Sequence, residues 1–154
     1  WDIFGLPRLL VNKEAIGKFL KMVDHPNNCL CLCSGSLGAN EHNDIADIIR
    51  SYCDRIAFAH VRNVKHYENG DFSEVSHRDC DGDVGILEIM KAYHDCGFDG
   101  YIRPDHGRHI WNEKCRPGYG LYDRALGASY LNGLWEAIQK NNIQRNGQNG
   151  AAAV

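Results

Sequence analysis

The sequence predicts an α/β protein, with part of a (β/α)₈ barrel as its architecture. Three observations support this. Short apolar runs alternate with amphipathic helical segments, each apolar run is too short and too uniformly hydrophobic to be half-exposed, and each ends abruptly in polar residues. Alternating strands and helices require parallel pairing through crossover connections. Continuous apolar strands are those buried on both faces of a parallel sheet. Three strands with four helices fall short of a complete doubly wound domain, whereas half of a barrel whose whole needs roughly 250 residues accounts for the count.

The elements follow in order. Asn12 can cap a helix that carries Ile16, Phe19, Leu20 and Val23 at helical spacing and stops near Asp24-His25-Pro26. Cys29 to Cys33 reads as a buried strand, closed by a glycine-bearing loop, Ser34-Gly35-Ser36-Leu37-Gly38. Asn43 or Asp44 starts a second helix with Ile45, Ile48 and Ile49 facing inward, and Arg55 to Val61 forms a second strand that turns polar at His60 and Arg62. Asn63 to Asp81 is a long polar loop, a length that usually signals function. Asp83 to Cys96 is a third helix ended by Gly97. Tyr101 and Ile102 open a third strand, and a last helix runs from about Asp123 to Gln139. Residues 1–140 thus form one catalytic-domain portion, and residues 141–154, composed of Asn, Gly, Gln, Ala and a few others, read as a disordered low-complexity tail.

Composition narrows the function. With 17 Lys plus Arg against 20 Asp plus Glu the net charge is −3, and no basic cluster marks a nucleic-acid partner. No apolar run approaches the ~20 residues of a bilayer span, and the opening residues lack a signal peptide's basic and apolar regions, so a cytoplasmic protein is expected. The seven cysteines include no C-x-x-C pair, and Cys29, Cys31 and Cys33 alternate along one strand face where they cannot bridge easily. Free thiols are the expectation and a structural zinc cluster the sharper alternative.

The C-terminal ends of parallel strands converge on one rim, where such folds place their active sites. Here those ends carry Cys33, His60 and Asp105: a thiolate, an imidazole and a carboxylate, together a plausible shell for a divalent transition metal with open positions. Each has a plainer reading. Cys33 can be a small buried hydrophobe, His60 a hydrogen-bonded structural residue, Asp105 a turn cap. Tyr119, between Gly118 and Gly120, is either presented to a ligand or packed on the surface. The remaining histidines read as solvated, with His77 and His109 held in reserve.

Four segments carry a resemblance: Cys31-Leu32-Cys33-Ser34-Gly35-Ser36-Leu37-Gly38-Ala39-Asn40, Ile56-Ala57-Phe58-Ala59-His60-Val61-Arg62-Asn63, Ile102-Arg103-Pro104-Asp105-His106-Gly107-Arg108 and Arg116-Pro117-Gly118-Tyr119-Gly120. Together with Phe4-Gly5-Leu6-Pro7-Arg8 they resemble the C-terminal half of mannonate dehydratase over about residues 1 to 140. The resemblance implies a xylose-isomerase-like TIM barrel and a lyase that converts D-mannonate to 2-keto-3-deoxy-D-gluconate in hexuronate breakdown. It implies Mn²⁺ or Fe²⁺ bound by Cys33, His60 and Asp105, an aldonate as the small-molecule partner, and a homo-oligomeric full-length enzyme. His106 and Tyr119 are the candidate acid and base, with Arg62, Arg103 and Arg108 as clamps on the substrate carboxylate. The family's further metal-binding His, from a His-Pro-Asp-Asp-Pro segment, has no counterpart in this sequence. The rival readings are a metal-dependent sugar isomerase or epimerase on the same barrel, and a non-catalytic metal-binding fragment.

Overall fold

The computed structural model describes residues 4–151, with side chains through residue 142. Helix α1 spans Lys13–Met22, strand β1 Leu30–Cys33, α2 Ser34–Gly38, α3 Ile45–Tyr52 and β2 Ile56–His60. Next come β3 (Val64–His66), β4 (Phe72–Glu74), α4 (Ile86–Asp95), β5 (Tyr101–Arg103) and α5 (Leu121–Ala151). The caps explain the boundaries: Asn12 accepts from the Ala15 amide at the start of α1, and Asp44 accepts from the Asp47 amide at the start of α3. Gly85, at φ +74°, makes the sharp entry to α4.

Three strands form a parallel sheet in the order β1-β2-β5, as the alternating pattern requires. Leu30 and Leu32 of β1, with Ile56 and Ala59 of β2, turn toward the helices. There they join Ile16 and Leu20 of α1, Ile48 and Ile49 of α3, Ile89, Met90 and Tyr93 of α4, and Leu131 of α5 in one core. On the opposite face the register aligns Cys31, Phe58 and Tyr101 in one row and Cys33, His60 and Arg103 in the next. The first row is open: Cys31 is exposed and Tyr101 is 82% exposed. The sequence implied burial on both faces, yet among the described residues only the helix-covered face is shielded.

Four other expectations change. The loop after β1 is a single helical turn, α2, because Cys33 caps it through its sulfur. The long polar segment holds an antiparallel hairpin, β3 with β4, too short for its periodicity to show in sequence. Helix α5 continues past Gln139 to Ala151, so the expected tail from 141 is helical over its described part, and residues 152–154 lie outside the described residues. Cys53 and Cys96 are joined in a disulfide, contrary to the expectation of free thiols throughout. They are the C-terminal caps of α3 and α4, and those helices pack side by side, which brings together two residues 43 apart. The other five cysteines are free.

Candidate metal centre

Cys33 and His60 are the last residues of β1 and β2 and are paired in register. Asp105 lies two residues past β5. Their donor atoms all fall within 4.8 Å of one another. The His60 Nδ1 is 3.2 Å from Asp105 Oδ1, and the Cys33 thiol reaches Asp105 Oδ2 at 3.6 Å. The rim reading of the sequence therefore corresponds to a real convergence of side chains.

Local structure holds each donor. The Ser36 amide donates to Cys33 Sγ at 3.4 Å. Ser34, buried at the start of α2, donates its hydroxyl to the Arg62 carbonyl at 2.7 Å and accepts from the Arg62 amide at 2.8 Å, locking the end of β1 to the end of β2. A Cβ at Gly35 would sit 2.1 Å from Arg62 Nε and 3.0 Å from the Arg62 Cβ, so a larger residue there would displace the Arg62 side chain. Asp105 adopts φ +63°, a left-handed conformation that costs most L-residues roughly 1–2 kcal/mol and that Asp tolerates better than most. Such strain is commonly retained where it aims a functional group.

The electrostatics suit a cation ligand set. Asp105 is buried and faces Arg62 Nε and Arg103 Nη2, each at 3.6 Å, with His106 Nε2 at 3.9 Å. Burial lowers the His60 pKa below its ordinary value, opposed by Asp105 and reinforced by Arg103, Arg62 and His106. The neutral imidazole, which alone has a lone pair to give, is thereby favoured. Its Nε2 is buried without a hydrogen-bond partner, a cost that a bound ion would remove. A soft thiolate, an imidazole and a hard carboxylate form a donor set suited to a divalent transition ion, and three donors leave coordination positions for substrate. Burial, followed by the nearness of Cys33 and Asp105, raises the Cys31 thiol, which disfavours the thiolate a metal ligand needs.

The other expected site residues separate. His106 Nδ1 lies 2.6 Å from Glu74 Oε1 and 2.9 Å from Arg62 Nη1, and Arg62 itself donates to Glu74 at 2.6 Å. Glu74, on β4, was not singled out in sequence because nothing local distinguishes it from its polar neighbours. Arg103 is half-exposed with donors to spare. Arg108 is engaged within the protein: Asp123 accepts from its backbone amide at 2.9 Å and from Nε and Nη2 at 3.0 Å each. Tyr119 is half-exposed beside Arg116 and Arg124, whose guanidinium carbons are 5.9 and 5.7 Å from its ring centre. It rides on a loop tied back to the ligand segment, where the Gly107 amide donates to the Gly118 carbonyl and the Gly120 amide to the Gly107 carbonyl. A Cβ at Gly107 would fall 2.0 Å from the Gly120 carbonyl oxygen, so this close approach requires glycine. Of the two histidines held in reserve, His109 is exposed and His77 is buried.

A family model described as D-mannonate dehydratase (UxuA) matches residues 1–145. The chain belongs to this family. It is 64% identical over 140 residues to mannonate dehydratase 1 of Bacillus licheniformis, an alignment that covers 91% of this chain and 38% of that protein. The mannonate dehydratase of Shouchella clausii is 63% identical over 139 residues, covering 90% of this chain and 39% of the relative. The crystal structure of mannonate dehydratase from Streptococcus suis serotype 2 superposes with a TM-score of 0.87 at 40% identity, over 92% of this chain and 41% of that one. The chain thus spans about two fifths of the length of the curated relatives it matches. Membership leaves the isomerase and zinc-fragment readings without support. Among the described residues no helix is long and apolar enough to cross a membrane.

Proposed function

We propose that this chain supplies the metal-binding rim of an enzyme that dehydrates D-mannonate to 2-keto-3-deoxy-D-gluconate and water, a step of hexuronate catabolism, and that it forms part of a (β/α)₈ barrel. The convergence of Cys33, His60 and Asp105 at the ends of parallel strands, in a chain of this family, carries the reading. The open sheet face and the unpaired edges of β1 and β5 accord with a barrel portion whose remaining strands lie in the rest of the protein.

Cys33, His60 and Asp105 would hold the ion, Mn²⁺ or Fe²⁺. When bound, it supplies Lewis-acid stabilisation of the charge that develops on the substrate carboxylate as the C2 proton leaves. The chain's own residues manage the protons and the orientation. Arg103, with free donors beside Asp105, orients the anionic substrate. Tyr119, acting from its glycine-flanked loop as the phenolate, takes the C2 proton and becomes the neutral phenol. His106 delivers a proton to the departing C3 hydroxyl, and Glu74 against Nδ1 fixes the imidazole and steadies its protonated form.

The test is the full-length protein, assayed for dehydration of D-mannonate alongside metal content by mass spectrometry. Stoichiometric Mn²⁺ or Fe²⁺ that is lost together with activity in Cys33→Ala is expected. Full activity in a metal-free Cys33→Ala protein would refute the reading.

A further inference from the structure

His77 lies between β4 and α4, is 4% exposed, and belongs to none of the roles above. Its Nε2 is 2.7 Å from the Pro104 carbonyl oxygen. A carbonyl can only accept, so Nε2 carries the proton and donates. Its Nδ1 is buried with no hydrogen-bond partner and points at α5, where a Cβ on Gly127 would fall 2.5 Å from it. The imidazole is thus wedged between the last helix and one backbone carbonyl.

That carbonyl matters because it belongs to the peptide that presents Asp105. Orientation of the Pro104–Asp105 peptide plane sets the Asp105 φ of +63°, and Asp105 brings its carboxylate to His60 and Cys33 from that unfavourable conformation. Proline fixes its own φ but leaves this peptide plane free to rotate. The hydrogen bond from His77 opposes the rotation at the carbonyl itself.

We propose that His77 is a positioning residue: it pins the Pro104 carbonyl so that Asp105 faces Cys33 and His60, and Gly127 lacks a side chain to leave the imidazole its place. The inference rests on the metal-centre reading and extends it to a residue outside the donor set. His77 touches neither ion nor substrate, and it acts through backbone geometry. Helix α5 thereby braces the metal centre without contributing a ligand to it.

The experiment uses the full-length protein and reads Mn²⁺ affinity by calorimetry, Co²⁺ absorption as a signature of ligand geometry, and thermal stability. His77→Phe keeps a ring and removes the donor; it is expected to weaken Mn²⁺ binding about 10- to 100-fold, the usual effect of losing a partner that orients a ligand. His77→Gln, whose amide can reach the same carbonyl, is expected to recover most of that loss. Gly127→Ala leaves His77 in place but sets a methyl against its ring, and it is expected to weaken Mn²⁺ binding in the same direction. This variant decides the matter should His77→Phe fail to fold. Unchanged Mn²⁺ affinity in His77→Phe with only a lower Tm would overturn the proposal, as would a Gln variant no better than Phe. Wild-type protein that binds Mn²⁺ no more tightly than Cys33→Ala would instead remove the metal centre itself.

Discussion

Exchanging Asp123 for Asn tests whether Arg108 is a structural brace or a substrate clamp. The Asp123 side chain is 4% exposed, and its two oxygens accept three hydrogen bonds from Arg108. In Asp123→Asn the shape survives. The bond from the Arg108 backbone amide falls from charge-assisted to neutral and the Nε bond loses its anionic acceptor, about 1 kcal/mol each, and the third sets an amide N–H against the guanidinium and is lost at a cost of about 1–2 kcal/mol. The Arg108 side chain is 38% exposed, so water compensates part of the last term, and the net destabilisation is about 2–3 kcal/mol. Burial alone would raise the Asp123 pKa, but the Arg108 hydrogen bonds and charge outweigh it and hold the carboxyl below its ordinary value. A depressed folded pKa contributes stability above the unfolded value of about 4, and that stability disappears as the pH falls through the folded one. Urea unfolding of the full-length protein should therefore show a lower midpoint for Asp123→Asn at neutral pH with m unchanged, and the gap should narrow near pH 3. A difference below about 0.5 kcal/mol, the scale of an ordinary surface substitution, would show that the pair does not brace the loop. So would a gap independent of pH.

Tyr119→Phe in the full-length enzyme is expected to lower kcat by roughly 10²-fold or more with bound metal unchanged, and His106→Asn to do the same if it is the acid; weaker metal binding in His106→Asn would show instead that it orients Asp105. Removing the Cys53–Cys96 link by a double Ser exchange should cost up to about 4 kcal/mol on chain-entropy grounds for its 43-residue separation, read as a lower Tm under non-reducing conditions. Mn²⁺ affinity should be unaffected, since both cysteines precede their strands, at the end of the sheet opposite the metal centre. The 154-residue chain made alone should not turn over mannonate, because among the described residues one sheet face and two strand edges stand open. A mannonate assay on the purified chain checks this, and efficient turnover would contradict the division of the site between this chain and the rest of the protein.

Periodicity located the helices and parallel strands because burial of one helix stripe imposes it, as Ile45, Ile48 and Ile49 illustrate. The candidate donors were legible for a positional reason: Cys33, His60 and Asp105 stand where strands that are apolar along their length end, and it is their coincidence at one rim, not any one residue, that a core explanation leaves over. What stayed hidden depends on tertiary proximity. Three-residue strands such as β3 and β4 are too short to show alternation, and the Cys53–Cys96 pair is visible only once α3 and α4 lie side by side. Arg108 and Arg62 illustrate the same limit: an arginine near a site looks like a clamp until the carboxylate that occupies its fork, Asp123 or Glu74, is placed.

The backbone at Asp105 also reorders what counts as a conservative exchange. At most carboxylate ligands Glu is the mild replacement and Asn the severe one. Here the residue must satisfy two selections at once, negative charge and a positive φ. Asn meets the second and Glu the first, and a longer side chain on a left-handed backbone is disfavoured twice. Tolerance at this position should therefore divide by readout: Asn enriched among variants selected for folding, Glu in neither that pool nor the catalytic one, and Asp alone where both are demanded.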